Sequence, residues 1–399
     1  MTMDRRDFLK RTALASAAFA FPWSKLSTAQ AATASDKVLV TIFLRGAADG
    51  LSLVTPLRNK GRYYALRPNI AVPEADLIDA GNGFAFHPSL KPIVGLYNSG
   101  QLGVVHAVGS PHASRSHFEA QDYMERANPG TVNGAGWLNN TLQVLGATDQ
   151  LSGVALRSNQ LAITEGSAPQ VTMASLASFK LRGKLSAQRQ AALEAQYQGL
   201  GGLLARSVRQ AFDVSGQVSA VDTATPVNYP GSPLGNGLKD AAALIRSGLP
   251  VRGIALDMGG WDQHDSLPGR MQGTAGGLAA ALKAFWDDLV GHRQRVVVTV
   301  MTEFGRTAAE NGSLGLDHGH GSVMFVLGGN VNGGKVHFDT WPGLGANQLY
   351  EQRDLAVTCD FRRVLSEIIE KHMGLTPAQQ APIFPGGYTV TRGSYLGLM

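Results

Sequence analysis

Two apolar segments of the chain, 251–256 and 295–301, each run directly into a polar loop, and a helical segment separates them. The second segment reads RVVVTVM, a β-branched run that is typical of a strand buried on both faces. The helical segment, roughly 273–290, repeats apolar residues along one helix face. A strand, a crossover helix and a parallel strand bring both following loops to one edge of a sheet. The pattern therefore predicts an α/β fold.

The two loops that follow these segments are rich in Asp and His. One contains Asp262 and His264, and the other, which is rich in glycine, contains Asp317, His318 and His320. Both residue types bind Zn²⁺ or Mn²⁺, and glycine lets a loop wrap around one ion because it reaches unusual backbone angles. Each cluster alone also fits a polar surface turn. Because the fold brings both loops to one edge, we predict that they share a metal site.

A third polar loop follows the apolar segment 102–108. Ser116 and Glu119 have the spacing of a capping box at a helix start. Free N–H groups and the dipole attract anions to such a start, so a serine there is a candidate nucleophile. Ser116 is equally explained as the N-cap alone. His112 and His117 each fit a hydrogen-bonding loop residue better than a metal ligand.

Asp49 follows the first strand of the predicted sheet, 37–44. A carboxylate at the end of such a strand is a candidate metal ligand. The alternative is a turn residue, since Asp before Gly is frequent in turns.

The N-terminus carries a twin-arginine signal, in which Arg5 and Arg6 precede an apolar run and a small-residue cleavage site at 29–31. The apolar run, 12–21, is too short to span a bilayer as a stable helix. We therefore predict that 1–31 is a signal peptide read by the twin-arginine export machinery. The product would be periplasmic or secreted, without a stable membrane span after cleavage.

Removal of 1–31, with its five basic and two acidic residues, lowers the net charge from +5 to +2. No block of Lys or Arg suggests nucleic acid binding, so we predict no nucleic acid partner. Cys359 is the only cysteine, which excludes an intrachain disulfide.

The remaining chain, 36–399, is predicted to form a single α/β domain with a helical and loop excursion at about 150–240. Short strands are expected near 153–156 and 160–164. A long helical stretch, 185–212, is expected to weaken near 199–202, and the Ser-, Thr- and Pro-rich segment 215–237 is expected to be an exposed loop or lid.

Five motifs carry a resemblance to a known family: FLRGAADG (43–50), SRSHFEAQDYME (114–125), DMGGWDQH (257–264), EFGRT (303–307) and DHGHG (317–321). With them the chain resembles the exported bacterial family called domain of unknown function 1501. That family looks related to the alkaline phosphatase and sulfatase superfamily. The resemblance implies an alkaline-phosphatase-like three-layer fold, with a mostly parallel central sheet and helices on both faces.

Carried over by position, the resemblance implies a set of metal ligands, with His320 as an extra: Asp49, Asp262, His264, Asp317 and His318. Ser114 or Ser116 would be the nucleophile. The chain departs from the superfamily in its Asp-x-His spacing at 262–264, and no sulfatase Cys-x-Pro-x-Arg signature is present, which argues against a cysteine-derived sulfatase.

We therefore predict an exported metal-dependent hydrolase-like protein that cleaves a phosphate or sulfate ester with a metal-activated Ser or water. One or two divalent ions, Zn²⁺ or Mn²⁺, would be bound. Glu303 would ligate metal or position a water, and Arg306 or Arg115 would hold a non-bridging oxygen. The predicted partner is a small anionic ester or an envelope polymer. The alternative is a non-catalytic metal-binding or envelope-assembly protein on the same fold.

Overall fold

A large sheet lies at the centre of the computed structural model, which describes residues 37–179, 186–198 and 202–399. The predicted signal peptide lies outside the described residues. Residues from 36 onward belong to one compact unit.

The strands, in chain order, are β1 (Val38–Leu44), β2 (Val54–Thr55), β3 (Ile78–Gly81), β4 (Phe84–Phe86), β5 (Leu102–Gly109), β6 (Gly153–Leu156), β7 (Gln170–Met173), β8 (Gly253–Met258), β9 (Val296–Thr302), β10 (Ser322–Gly328), β11 (Val336–His337) and β12 (Cys359–Asp360). The large sheet has the order β11-β5-β10-β9-β1-β8-β6-β7, and β12 also pairs with β5. Among its described pairs, those of β10 with β5 and β9 are antiparallel and the others are parallel. This confirms the mostly parallel central sheet. A small antiparallel sheet, β2-β4-β3, lies apart from it.

The helices are α1 (Gly50–Leu53), α2 (Lys60–Leu66), α3 (Lys91–Asn98), α4 (His117–Glu125), α5 (Trp137–Val144), α6 (Ser186–Gln198), α7 (Gly202–Ser219), α8 (Pro233–Arg246), α9 (Leu267–Asp288) and α10 (Phe361–Lys371). Side chains of α3, α8 and α9 share one core with one face of the sheet. Side chains of α5 and α10 share a second core with the other face. The α/β layering with helices on both faces is therefore also confirmed.

β1 shows why the sequence forms a central strand. Its seven residues, VLVTIFL, are all buried. Val40 and Ile42 point into the core shared with α8 and α9, while Leu39 and Phe43 point into the core shared with α10. Because successive side chains alternate between faces, an uninterrupted apolar run suits a strand covered on both sides.

The predicted strand–helix–strand unit is β8–α9–β9, and both strands pair in parallel with β1 between them. Leu44, the last residue of β1, aligns with Met258 of β8 and with Thr302 of β9. The three loops that follow therefore start side by side at one edge of the sheet.

Two predictions for the middle of the chain were wrong. The expected strand at 160–164 is a short 3₁₀ helix, Ala162–Thr164. The expected loop at 215–237 is reduced to 220–232, because α7 continues to Ser219 and α8 begins at Pro233. Val214 and Val218 lie one helical turn apart and are buried in the core. Because their burial stabilises this helix face, α7 continues through a segment that contains few apolar residues. The predicted excursion also supplies two strands, β6 and β7, to the large sheet.

None of the helices among the described residues combines the length and apolar character that crossing a bilayer requires.

Candidate metal centre

Polar loops meet at the edge where β1, β5, β8 and β9 end and β10 begins. Because β10 is antiparallel to its neighbours, the loop that enters it lies at the same edge as the loops that leave the parallel strands. His117 is the first residue of α4, which follows β5. Asp262 and His264 follow β8, and His318 precedes β10. Four side chains from three distant parts of the chain thus meet.

The ligand atoms of these four residues converge. Nε2 of His318 lies 3.0 Å from Nε2 of His117 and 3.0 Å from Nε2 of His264. Oδ1 of Asp262 lies 3.0 Å from His264 Nε2, 3.4 Å from His318 Nε2 and 3.5 Å from His117 Nε2. His117, Asp262 and His318 offer one ligand atom each within 4.8 Å of one another.

Each imidazole has an acceptor behind it that fixes the position of its proton. The acceptors are Glu303 Oε1 at 2.8 Å from His117 Nδ1, Asp317 Oδ1 at 3.2 Å from His264 Nδ1, and the Arg115 carbonyl oxygen at 2.9 Å from His318 Nδ1. An ionised carboxylate or a carbonyl can only accept, so each Nδ1 carries the hydrogen. In a neutral ring, Nε2 then presents a lone pair to the other rings.

This arrangement suits a cation. Two lone pairs 3.0 Å apart repel each other when no hydrogen lies between them. Two ligands about 2.0–2.1 Å from a tetrahedral Zn²⁺ lie about 3.3–3.4 Å apart, close to the separations observed here. Histidines that bind metals commonly donate their second ring N–H to a carboxylate or carbonyl, as all three do here. The described residues therefore fit a metal site.

Arg306 sets the charge of Asp262. Its Nη2 donates to Asp262 Oδ1 at 2.5 Å, and its side chain is only 1% exposed against 50% for the carboxylate. Partial burial works to raise the pKa of Asp262, but the hydrogen bond and charge of Arg306 outweigh it and lower the pKa to about 2. Asp262 is therefore an anion over the physiological range.

Arg306 does not lie where it could hold a non-bridging oxygen, the role that was expected for it. One of its other N–H groups is directed at Nε2 of His264, 3.3 Å away. The rest are directed at four backbone carbonyls, those of Gly46, Ala47, Trp261 and Leu316. The guanidinium thus ties four loops together rather than facing a ligand.

Glu303 is buried and orients His117. Its Oε1 accepts hydrogen bonds from Gly46 N at 2.8 Å and from Gln121 Nε2 at 3.0 Å, besides that of His117. Burial opposes ionisation, but these hydrogen bonds, that of His117 foremost, lower the pKa of Glu303. The hydrogen bond to Glu303 in turn raises the pKa of His117, against the effect of burial. Burial lowers the pKa of His318.

Of the residues predicted as ligands, Asp262, His264 and His318 are brought together. Asp317 lies behind His264 as its acceptor, and hydrogen bonds from Asn311 and His264 lower its pKa. His117 was not expected to be a ligand. The signal for it was present, because it follows β5 at the same sheet edge as the two Asp/His loops.

Asp49 does not reach this cluster. Burial works to raise its pKa, but the fully buried Arg67 lowers it by donating to Oδ2 at 2.6 Å and to Oδ1 at 3.0 Å. Asp49 also accepts from Ser52 N as the N-cap of α1. Both carboxylate oxygens are therefore occupied by the chain itself.

His320 also lies elsewhere. Its Nε2 is 3.0 Å from the carbonyl oxygen of Ser110, its ring packs against Tyr350, and Nδ1 has no hydrogen-bond partner among the described residues. The two ring nitrogens of His337 likewise face backbone carbonyls, those of Leu396 and Asn332.

The two candidate serines flank the start of α4. Ser114 Oγ donates to Glu119 Oε2 at 2.7 Å and accepts from Ser116 N. Ser116 is the N-cap residue of α4, but its side chain makes no capping hydrogen bond. The predicted capping box is therefore wrong, since Glu119 is engaged by Ser114.

The fold and the site together define an α/β protein with a candidate metal centre at the edge where its parallel strands end. Residues 75–383 match the model of the family described as "Protein of unknown function (DUF1501)". The chain belongs to this family, as its motifs predicted. A search of curated proteins found no match. Solved structures similar to this chain include the C-terminal periplasmic domain of EcEptC from Escherichia coli, at 10% identity and a TM-score of 0.36 over 89% of this chain and 88% of that one.

Proposed function

We propose that this protein binds one divalent metal ion through His117, Asp262, His264 and His318, and hydrolyses a phosphate or sulfate ester there. The observation that carries the proposal is the convergence of Nε2 lone pairs 3.0 Å apart. A cation at their common point would convert this repulsion into attraction. Three imidazoles and one carboxylate favour Zn²⁺ over Mn²⁺, because nitrogen-rich sets suit zinc, and a zinc ion held by these four groups would take the water or ester as a fifth ligand.

When bound, the ion supplies Lewis-acid charge at this point. Glu303 and Asp317 accept hydrogen bonds from Nδ1 of His117 and His264, so that Nε2 of each neutral ring carries a lone pair. Nε2 of His264 lies 3.3 Å from Nη1 of Arg306. Arg306 keeps Asp262 ionised and fixed. The chain itself therefore sets the protonation state that a metal site needs.

The centre is accessible on one side. The side chains of Asp262 and His264 are 50% and 42% exposed, so that solvent and an ester can reach them. The attacking group would be a water or the hydroxyl of Ser116. Ser116 supports the second choice because it adjoins His117 and its hydroxyl is not used to cap α4.

Turnover of an aryl phosphate and an aryl sulfate by zinc-loaded protein tests the proposal. Asp262→Asn should lose more than the ~10–100-fold typical of changes to groups behind the ligands. Asp265→Asn, in the same loop but paired with Arg270, is the matched control and should keep wild-type turnover. Ser116→Ala distinguishes serine from water. Absence of turnover in zinc-loaded wild type, or equal turnover in both Asp variants, would overturn it.

A second candidate function is metal binding without catalysis, in envelope assembly or polymer binding. The observation that favours it is the engagement of the groups predicted for chemistry: Ser114 bonds to Glu119, and the N–H groups of Arg306 face the protein. This second function predicts that the purified protein binds metal but turns over neither the aryl phosphate nor the aryl sulfate.

We also propose export through the twin-arginine machinery to the periplasm or beyond, on the signal at Arg5 and Arg6. The substrate would then be a small anionic ester or an envelope polymer. Replacement of both arginines by lysine should retain the protein in the cytoplasm, as cell fractionation would measure. Unchanged export would contradict this part.

A further inference from the structure

A polar pocket of about 380 Å³ lies beside the metal centre and shares no residue with its ligands. Its wall combines Arg45, at the end of β1, with Gln121 and Glu125 of α4 and with Arg157 and Gln160, which follow β6. The volume lies within the range of small-ligand sites. The pocket opens at the same sheet edge as the metal centre.

Hydrogen bonds join this pocket to the metal centre. Gln121 Oε1 accepts from Arg45 Nη1 at 3.0 Å, and Gln121 Nε2 donates to Glu303 Oε1 at 3.0 Å. The same oxygen of Glu303 accepts from Nδ1 of His117 at 2.8 Å. A molecule in the pocket would therefore contact Gln121, which is hydrogen-bonded to Glu303, the acceptor that orients His117.

The charges in this pocket cancel. Arg45 pairs with Glu125 at 2.8 Å and with Asp257 at 3.3 Å, and Arg157 pairs with Asp257. Two guanidinium groups thus meet two carboxylates. Because the charges balance, the pocket has no net charge to attract an ion, and an ion that separated one of these pairs would leave a group uncompensated, which is unfavourable in a half-buried site.

Hydrogen-bonding capacity remains after these pairs are made. Arg157 contacts Asp257 through Nη1, and its side chain is 39% exposed. Gln160 is exposed and has no hydrogen-bond partner among the described residues. Ala162 adds a small apolar surface, behind which Leu161 is buried in the core. Guanidinium and amide groups suit hydroxyl groups, because a hydroxyl group both donates and accepts hydrogen bonds. The apolar patch beside them suits the C–H face of a ring that carries such hydroxyl groups.

We infer that this pocket binds an uncharged, hydroxyl-rich group such as a sugar ring. This inference rests on the proposed function: the pocket holds the alcohol side of the ester, and the anionic side faces the metal centre. The substrate class is then a phosphate or sulfate ester of a sugar.

Binding of three neutral probes, the methyl α-glycosides of glucose, mannose and galactose, tests this by titration followed by NMR. At least one should bind saturably to wild type, and Gln160→Ala and Arg157→Gln should each weaken it by about tenfold or more, since each removes a hydrogen-bonding partner. Arg392→Gln, an exposed arginine paired with Glu370, is the matched control and should not change affinity.

Absence of saturable binding for all three glycosides, unchanged affinity in both pocket variants, or preferential binding of inorganic phosphate in this pocket would overturn the inference. Circular dichroism checks the fold of each variant, and Gln160→Ala alters only an exposed side chain. Glycoside binding should persist after EDTA treatment, because no metal ligand lines the pocket. Glycoside binding without zinc-dependent turnover would therefore contradict the proposed function alone, whereas absence of glycoside binding would contradict this inference.

Discussion

At the residue scale, the acceptors behind the histidines differ in burial. The side chain of Glu303 is 0% exposed, whereas that of Asp317 is 59% exposed. A hydrogen bond between a buried carboxylate and an imidazole is screened little by solvent, and an exposed one is screened strongly. His117 is therefore held more firmly than His264.

Glu303→Gln should weaken zinc binding by ~10–100-fold, because an amide holds the Nδ1 proton of His117 less firmly than a carboxylate does. Asp317→Asn should have a smaller effect, since its contact is exposed. Competition with a chromophoric chelator measures both affinities. Glu367→Gln is the control: Glu367 is equally buried but accepts backbone N–H groups near the C-terminus. Wild-type affinity in Glu303→Gln, or a larger loss in Asp317→Asn, would contradict this ranking.

Asp49 is expected to act on stability and not on metal content. Asp49→Asn leaves the guanidinium of Arg67 buried without its counter-charge, and breaking a buried pair in this way costs about 3–5 kcal/mol. Because the folded-state pKa of Asp49 is lowered, its contribution is present above the unfolded-state pKa and is lost as pH falls through the folded value.

Urea unfolding at neutral and acidic pH, together with elemental analysis of Asp49→Asn, measures these expectations. The difference in stability between wild type and variant should shrink toward acidic pH. Loss of metal with unchanged stability would instead identify Asp49 as a ligand.

At the element scale, close backbone contact between two loops brings the centre together. A Cβ added to Gly315 would lie 2.1 Å from the carbonyl carbon of His264, far inside contact distance. Leu316 N also donates to the carbonyl of Gln263. The loop entering β10 thus lies directly on the loop that follows β8, and glycine is needed for that approach.

Gly315→Ala should separate these loops and reduce zinc affinity, while the cores on either side of the sheet keep the fold. Gly312→Ala is a control in the same loop, since nothing lies within 4 Å of its added Cβ. Isothermal titration with zinc and circular dichroism separate the two effects. Equal affinities in the two variants would show that the loop contact does not position His264.

The sequence predicted those elements whose signal is local. Predominantly apolar runs predicted β1, β8 and β9 to within two residues, and the crossover rule then placed the Asp/His loops at one edge. The partner of Asp49 was not predictable, because Arg67 reaches it through a tertiary contact that leaves no spacing pattern. His117 was missed although it follows β5 at the same edge, because a single loop histidine is more often a hydrogen-bonding residue than a ligand and its acceptor, Glu303, is distant in sequence.

At the scale of the whole molecule, the sheet gathers a site that no single segment contains. β1 lies between β8 and β9 with the three ends level, and the antiparallel β10 begins at the same edge. The apolar cores on both faces fix these strands, while the polar loops at their ends remain free to carry ligands. The fold therefore determines where the candidate metal centre lies, and its four side chains come from loops at that edge.

Anomalous diffraction at the zinc edge from crystals of zinc-loaded protein tests the central claim most directly. We expect one zinc ion per chain, with Nε2 of His117, His264 and His318 and Oδ1 of Asp262 at ~2.0–2.2 Å from it. An anomalous peak at another place, or none at this point in zinc-loaded crystals, would contradict the account.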